Sequence, residues 1–462
     1  MNVFGLEDKS ITKKKIRVNK ELTTKLSPFE VYTRFNKEFN NAFLLESREG
    51  KEKLARFSFI GFEPSKHVQA KKHSLIVNGD KFDSVDPLLQ LRDVLPHVSI
   101  NKEGFLGGAV GYFSYDYVRN IEKIPNGTKN NLHFPDFEFG VFEDCIVFDH
   151  RKNEVRYLSC GEDRAKIVLN ILNQDFCDGE ILKIGTMKPN MKKEKYENIV
   201  SRSKQYIESG DIFQVVLSRR YQLKFKGSLI NFYGLLRKIN PSPYMYYIKF
   251  GDRQIIGTSP ENLVRVEGRV VDTYATIAGT RPRGKNKRED IALEKELLKD
   301  KKERAEHLML VDLTRNDVGK VAEFSSVKVP EFMTVHKFSH VQHIVSRVTG
   351  KLRKDCDCFD AFKAIFPAGT VTGAPKIRAM EIIEELEPER RGPYAGAVGY
   401  FSFNGNADFA ITIRTLFADK NKAFIQAGAG IVYDSVPERE YYETENKVMA
   451  LIQTIKNHEV SR

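Results

Sequence analysis

The chain has 462 residues, of which 41% are hydrophobic and 29% charged, a composition typical of a globular protein and not of a disordered chain. The 74 basic and 62 acidic residues are interleaved, and the net charge of +12 comes with no nucleic-acid motif, so we expect it to attract a small anionic substrate. No apolar run is long enough to cross a bilayer and the N-terminus lacks a signal-peptide core, so we expect a cytoplasmic protein without membrane or nucleic-acid partners.

The first part of the chain predicts a β-rich lobe. Stretches such as FLLES, CIVFDH and EVRYLS are rich in β-branched and aromatic residues and are separated by polar turns, as strands are. Since domains usually close at about 100–200 residues, we place an N-terminal lobe at 1–185. The segment IGTMKPNMKKEK is then predicted to be a linker to a second lobe at 194–457. That lobe opens with the helical spacing of EKYENIVSRSKQYIESG and the strand-like DIFQVVLS.

One segment occurs twice. GAVGYFS stands at 108–114 and again at 396–402, without a repeat in the residues around it. We predict two similar strands in which glycine allows close approach of another backbone, and not a duplication of whole lobes.

Two predicted helices carry paired carboxylates. In KDKKERAEHLMLVDLTRND, Glu303 and Glu306 project from one face, and in VPEREYYETENKVMALIQTI, Glu440, Glu443 and Lys447 form a stripe. Such pairs are commonly only a solvated face. They are also the hard oxygen ligands that magnesium prefers beside an anionic substrate.

Three segments of small residues accompany these helices. TIAGTRPRG, FPAGTVTGAPK and QAGAGIVYDS expose backbone N–H groups. The second leads into a predicted helix whose N-terminus would attract an anion. Taken alone, a glycine-rich segment of this kind is more often a plain turn than a binding loop.

In chain order, TIAGTRPRG, AEHLMLVDLTRND, SHVQHIVSRVTG, FPAGTVTGAPK, GAVGYF, AITIRT and AGAGIVYDSVPEREYYETENK resemble the chorismate-utilising enzymes, and most closely the large subunits of anthranilate synthases. The resemblance covers essentially all of 194–455, and more loosely the N-terminal lobe through FLLES, FIGFEP and GGAVGYFSYD. It implies an α+β fold, with two interlocked lobes around an antiparallel β-sandwich and helices outside.

The resemblance also implies a magnesium site. Chorismate carries a ring carboxylate, an enolpyruvyl carboxylate and a C4 hydroxyl, which is a poor leaving group. By similarity, Glu306 and Glu443 bind magnesium directly while Glu303 and Glu440 bind it through water, and the ion clamps the ring carboxylate.

Substrate and catalytic residues follow by the same resemblance. The positions implied to bind chorismate are Gly279, Thr280, Tyr394, Arg414, Gly428, Ala429, Gly430 and Lys447. The implied catalytic residues are Glu261, which would protonate the departing hydroxyl, His343 and Thr370. By itself, a lone histidine in an apolar stretch such as VQHIVSR more often belongs to the core.

Two positions bear on which reaction is implied. Relatives that make 4-amino-4-deoxychorismate often have a lysine where this chain has Ala278, and that lysine captures the ring covalently. Relatives that add water carry a basic lysine where this chain has Gln214, and an amide is not a base at pH 7. The implied reaction is therefore attack of ammonia at C2, loss of the C4 hydroxyl and elimination of pyruvate to give anthranilate. Aminodeoxychorismate synthase, a subunit without activity and a nucleic-acid binder are the alternatives.

Partner and regulator are likewise implied by the resemblance. None of the five cysteines lies in a G-x-C-x-G-like elbow, so ammonia would come from a separate glutamine amidotransferase subunit in a hetero-oligomer. LLES and NPSPYMYY resemble a site for the feedback inhibitor tryptophan, although NPSPY alone is also an ordinary proline turn. The implied inhibitor residues are Leu45, Glu46, Ser47, Asn240, Pro241, Tyr244, Met245 and Tyr246.

Overall fold

The computed structural model describes residues 16–47, 56–96, 104–174, 180–337 and 341–460. Within these ranges, the side chains of residues 275–280, 341, 450, 452 and 455–460 lie outside the description. The described chain forms two large sheets, of thirteen and eleven strands, with helices packed around them. Every strand pair within these sheets is antiparallel, which confirms the α+β class.

The N-terminal part supplies mainly strands. They are β1 (Val18–Glu21), β2 (Asn41–Glu46), β3 (Phe57–Phe62), β4 (Lys66–Lys71), β5 (Ser74–Val77), β6 (Asp80–Asp83), β7 (Gly108–Phe113), β8 (Phe137–Phe142), β9 (Asp144–Asp149), β10 (Glu154–Ser159), β11 (Lys183–Ile184) and β12 (Lys188–Pro189). Its helices are α1 (Pro28–Glu38), α2 (Pro87–Val94) and α3 (Ala165–Leu172), with a 3-10 turn at Tyr115–Asn120.

The C-terminal part supplies the longer helices. They are α4 (Lys193–Glu208), α5 (Ile230–Ile239), α6 (Lys287–Lys299), α7 (Lys301–Gly319), α8 (Cys358–Ile365), α9 (Lys376–Leu386) and α10 (Pro437–Val460), with a 3-10 turn at Gly369–Val371. The strands are β13 (Gln214–Lys226), β14 (Tyr244–Phe250), β15 (Arg253–Ser259), β16 (Asn262–Glu267), β17 (Val270–Pro282), β18 (Lys328–Lys337), β19 (Val341–Lys351), β20 (Gly373–Ala374), β21 (Ala397–Ser402), β22 (Ala407–Ile411), β23 (Thr415–Asp419) and β24 (Lys422–Ile431).

Both halves of the sequence contribute to both sheets. The larger sheet runs β1-β10-β9-β3-β2 and continues through β14-β15-β23-β24-β13-β11, while the smaller runs β18-β19-β17-β16-β22-β21 and continues through β7-β8-β4-β5-β6. The lobes are therefore interlocked, because each sheet passes from strands of one half to strands of the other.

The repeated GAVGYFS segments are partners in the smaller sheet. They form β7 and β21, which pair with Gly111 opposite Gly399. A Cβ at Gly111 would lie 2.0 Å from the carbonyl oxygen of Glu138, and one at Gly399 would lie 2.0 Å from that of Asp408. The prediction of two strands with close backbone approach is confirmed, and these strands join the two halves of the chain.

The main core lies between the two sheets. Phe43 of β2 and Phe142 of β8 meet edge to face across it, with ring centroids 4.7 Å apart, a contact worth about 0.5–1.5 kcal/mol beyond its buried area. Helices α1 and α5 cover the outer face of the larger sheet with a second core, and α4 and α9 cover β13 and β24 with a third. This is the predicted sandwich with helices outside.

The helices predicted around ENIVSRSKQYI, AEHLMLVDL, KIRAMEII and EREYYETENK are observed as α4, α7, α9 and α10. The predicted linker is not free chain, because β11 and β12 pair with β13 and α4 begins at Lys193. Among the described residues, no helix has the length and apolar composition needed to span a membrane.

Candidate active site

Glu261 and Thr370 meet in one cavity. Glu261 lies in the turn between β15 and β16 and is 5% exposed. The hydroxyl of Thr370, in the 3-10 turn after α8, donates a hydrogen bond of 2.6 Å to Glu261 Oε1. Helix α7 packs tightly on this turn, because a Cβ at Gly369 would lie 2.2 Å from Leu313. Two residues that are 109 positions apart in sequence are thus held as one hydrogen-bonded pair.

Gln214 connects the start of β13 to the carboxylates of α7. Its amide Nε2 donates a hydrogen bond of 2.8 Å to Glu306 Oε1. The amide fits because the neighbouring strand has a glycine there: a Cβ at Gly430 would lie 2.7 Å from Gln214 Nε2. The amide oxygen Oε1 is buried and has no hydrogen-bond partner among the described residues. A buried, unpaired acceptor costs about 1–3 kcal/mol, which suggests that a ligand uses it.

The four carboxylates on α7 and α10 influence one another. Burial raises the pKa of Glu306, and the charges of Glu303 and Glu443 raise it further. Burial is also the largest cause of the raised pKa of Glu303 and of Glu440, with Glu443 contributing to both. Among the residues described, no three acidic, histidine or cysteine side chains are arranged to hold a metal ion as they stand. Four carboxylates whose negative charges repel one another nevertheless fit a divalent cation, which would compensate these charges.

Lys447 and Tyr394 converge on Gly428 of β24. Lys447 Nζ donates a 2.9 Å hydrogen bond to the carbonyl of Gly428 and pairs with Glu443 at 2.7 Å. The Tyr394 hydroxyl is 2.9 Å from the position that a Cβ at Gly428 would take. Gly428 and Gly430 lie on the same face of β24, with Tyr394 beside Gly428 and Gln214 beside Gly430.

Arg414 lies close to Glu261. It follows β22 in the left-handed region, with φ of 51°. Burial lowers the pKa of Arg414, and the negative charge of Glu261 partly offsets this effect. A buried arginine is suited to pair with a carboxylate of a ligand.

The remaining predicted residues are placed less completely. His343 is buried on β19, with Thr280 of β17 and His336 of β18 opposite it. The side chain of Thr280, like the predicted position Gly279, falls in the part of β17 whose side chains lie outside the description. Ala429 points away from the site, since its side chain belongs to the core under α4 and α9. Only the main chain of Ala429 is therefore available to a ligand, as expected because side chains alternate between the two faces of a strand.

Comparison with known proteins identifies the family. Residues 40–453 match the family described as chorismate binding enzyme. The chain belongs to this family. Relatives named anthranilate synthase component 1 from Methanothermobacter thermautotrophicus and Methanothermobacter marburgensis are 48% and 49% identical, each over 99% of this chain and 97% of the relative. The crystal structure of anthranilate synthase component I from Streptococcus pneumoniae superposes with a TM-score of 0.80 at 40% identity, covering 92% of this chain and 97% of the other.

This chorismate-binding enzyme has a second cavity, between the two sheets and apart from Glu261. All the predicted inhibitor residues except Asn240 and Pro241 line it. Strands β2 and β14 bring the two predicted segments together, with Leu45 opposite Tyr246. Asn240 lies before β14 and its amide instead donates a 2.8 Å hydrogen bond to the hydroxyl of Thr258.

Glu46 is engaged on the other face of β2. Its carboxylate accepts hydrogen bonds of 2.7 Å from Nε and Nη2 of Arg237 and from the hydroxyl of Tyr233, both on α5. Since Arg237 already balances its charge, Glu46 contributes to the cavity mainly by holding the end of β2 in place.

The sequence interpretation did not single out Asp408, a second acidic residue in the lining of this cavity. It accepts a 3.0 Å hydrogen bond from the Tyr244 hydroxyl, and burial raises its pKa to about 6. Ser47 is also in the lining, and its buried hydroxyl has no hydrogen-bond partner within the described ranges. The signal for Asp408 was present in ADFAI, a lone carboxylate in an apolar strand between two matching segments.

Proposed function

We propose that this chain is the chorismate-converting subunit of an anthranilate synthase. In the proposed reaction ammonia forms a bond to C2 of chorismate, and the C4 hydroxyl leaves as water after protonation. The ring then loses the C2 proton and the enolpyruvyl group to become anthranilate, and the enolpyruvyl group takes up a proton to become pyruvate. The proposal is supported by the relatives named anthranilate synthase component 1 and by the amide of Gln214 at the carboxylate cluster.

The observation that carries the proposal is the position of Gln214. An amide cannot remove a proton from water at neutral pH, whereas ammonia is already a nucleophile. Because Gln214 Nε2 is engaged by Glu306, the amide oxygen is the end that remains to accept an N–H of ammonia. Gln214 would in this way orient the nitrogen lone pair toward C2 without acting as a base.

We assign protonation of the departing C4 hydroxyl to Glu261. Its burial and its 2.6 Å hydrogen bond from Thr370 fix the orientation of the carboxyl group. A positioned general acid typically contributes 10²–10⁴-fold to a rate. Arg414, whose charge interacts with that of Glu261, would hold a substrate carboxylate so that the C4 oxygen faces the acid.

Magnesium is proposed to bind between α7 and α10. Glu306 and Glu443 would be direct ligands, with Glu303 and Glu440 acting through water. When bound, the ion would neutralise the ring carboxylate and withdraw charge from the ring. Gln214 fixes one oxygen of Glu306, and Lys447 pairs with Glu443, so these two residues orient the proposed ligands.

We propose that the second cavity binds tryptophan as a feedback inhibitor. A zwitterionic aromatic amino acid needs an aromatic lining, a group for its ammonium and a group for its carboxylate. Tyr244 and Tyr246 provide rings, and the Ser47 hydroxyl suits the ammonium. Asp408 and Arg265, whose side chains pair at 3.8 Å, offer one charge for the ammonium and one for the carboxylate. We further propose that a separate glutamine amidotransferase subunit supplies the ammonia.

The test is a reaction of the purified chain with chorismate, magnesium and an ammonium salt at mildly alkaline pH. We expect fluorescent anthranilate and an equal amount of pyruvate, and no turnover with glutamine in place of ammonium. An aminated product that keeps the enolpyruvyl group would assign the chain to aminodeoxychorismate synthesis. Absence of any product from a folded chain would refute the proposed activity.

A further inference from the structure

Arg391 is a buried arginine between α9 and β21 that no part of the proposed mechanism uses. Its side chain is 1% exposed. Its guanidinium is paired with Glu387, with Nε 3.0 Å from Oε2 and Nη2 2.7 Å from Oε1. Such a pair is expensive to bury, because desolvation costs several kcal/mol per ion and an apolar pair of similar volume is often at least as stable.

The other hydrogen bonds of Arg391 lead to both sides of the candidate active site. Nη1 donates to the carbonyl of Val371 at 2.7 Å, and Nη2 donates to the carbonyl of Val216 at 2.6 Å. Val371 follows Thr370, which bonds to Glu261, and Val216 lies two residues after Gln214 on β13. The planar guanidinium of Arg391 therefore connects the turn of Thr370, the partner of the proposed acid, to β13, which carries the proposed ammonia ligand Gln214.

Glu387 extends this connection along β13. Its Oε1 accepts hydrogen bonds of 2.8 Å from both the main-chain N–H and the hydroxyl of Ser218. The guanidinium also lies 5.7 Å from the ring centroid of Tyr394, a predicted substrate-binding residue. Arg391 and Glu387 thus fix β13, the Thr370 turn and the residues leading into Tyr394 relative to one another.

We propose that Arg391 is a positioning residue that sets the separation between Gln214, on the ammonia side, and the Thr370–Glu261 pair, on the leaving-group side. The inference rests on the proposed function. Lysine cannot replace arginine here, because a single ammonium does not present a planar fork that reaches two carbonyls and both carboxylate oxygens together. The substrate carboxylates are instead assigned to Arg414 and Lys447, which Arg391 does not contact in any described hydrogen bond or ion pair.

The test compares Arg391→Lys with Arg253→Lys. Arg253 makes the same kind of bidentate pair, at 2.7 Å to each oxygen of the buried Glu138, but lies at the opposite end of β15 from Glu261. Both variants are expected to lower the unfolding temperature. At a temperature where each is fully folded by circular dichroism, we expect Arg391→Lys to lower kcat about 10- to 100-fold, as a displacement of about 1 Å does. Its KM for chorismate should change less than about threefold, and Arg253→Lys should keep parental kcat.

A kcat of folded Arg391→Lys within twofold of the parent would overturn the inference, and so would an equal loss in both variants. If Arg391→Lys does not fold, Glu387→Gln tests the same connection, because it removes the ion pair but keeps an acceptor, and the same fall in kcat is expected. A parent chain without anthranilate formation would refute the proposed function, whereas an active parent with an active folded Arg391→Lys refutes only the positioning role.

Discussion

Replacing Gly430 by alanine should displace Gln214 with little effect on the fold. The added Cβ would lie 2.7 Å from Gln214 Nε2, closer than side chains normally approach, and no main-chain atom is among its near contacts. The end of a glutamine side chain moves easily, so we expect the added methyl group to cost about 1 kcal/mol, the lower end of the usual range for overpacking. Loss of the hydrogen bond between Gln214 and Glu306 adds to this cost.

The variant should also lose activity, because the amide of Gln214 is displaced. Moving the amide breaks its 2.8 Å hydrogen bond to Glu306. A hydrogen bond to a charged group is worth about 1.5–3 kcal/mol, equivalent to about 10- to 150-fold in rate. We therefore expect kcat/KM for anthranilate formation to fall by about that factor.

The assay is the initial rate of anthranilate fluorescence over a range of chorismate and ammonium concentrations, with urea unfolding of the same preparations. Gly319→Ala is the matched control, because a Cβ at that position in α7 meets nothing within 4 Å, and we expect it to keep parental rates. Parental kcat/KM in Gly430→Ala, or a rate loss no greater than in Gly319→Ala, would refute the role given to Gln214.

Three further results are expected. Glu306→Gln should abolish turnover but still unfold cooperatively, because it removes a negative charge that burial and Glu303 already disfavour. The same change at exposed Glu438 should leave the activity unchanged. Near-parental activity of Glu306→Gln at limiting magnesium would contradict the ligand assignment. Ser47→Phe should keep ammonia-dependent activity while losing tryptophan inhibition, since it fills the second cavity, and unchanged inhibition would argue against that cavity as the regulatory site. Because burial raises the pKa of Asp408 to about 6, its carboxyl group is neutral below that value, and tryptophan affinity measured by calorimetry should fall as the pH drops through about 6. Asp408→Asn should flatten this dependence of affinity on pH. A parental profile in that variant would exclude Asp408 as the ammonium partner.

Local sequence signals located the elements of the site but not their partners. The spacing of Glu303 with Glu306, and of Glu440 with Glu443, predicted two helical faces, and α7 and α10 confirm the helices. Helical spacing depends only on neighbours three or four residues away, so it is readable from the chain. The connections from Glu306 to Gln214 and from Thr370 to Glu261 cross 92 and 109 residues, and no local pattern encodes them.

Side-chain direction also required the structure. The segment LLES was correctly placed on a strand, but strand pairing decides that Glu46 meets Arg237 on α5, while Ser47 is in the lining of the second cavity. In the same way, Ala429 was grouped with its glycine neighbours, yet strand alternation places its side chain in the core beneath α9.

The sequence by itself determined the family and those helices and strands that it singled out, such as α4, α7, α9 and β13, because these depend on local periodicity and on motifs preserved in order. Tertiary structure decided that the GAVGYFS strands pair with each other, that Asp408 faces the second cavity, and that Arg391 joins β13 to the Thr370 turn. These features arise from hydrogen bonds between segments distant in sequence, and such bonds are fixed only when the two sheets close on their shared core.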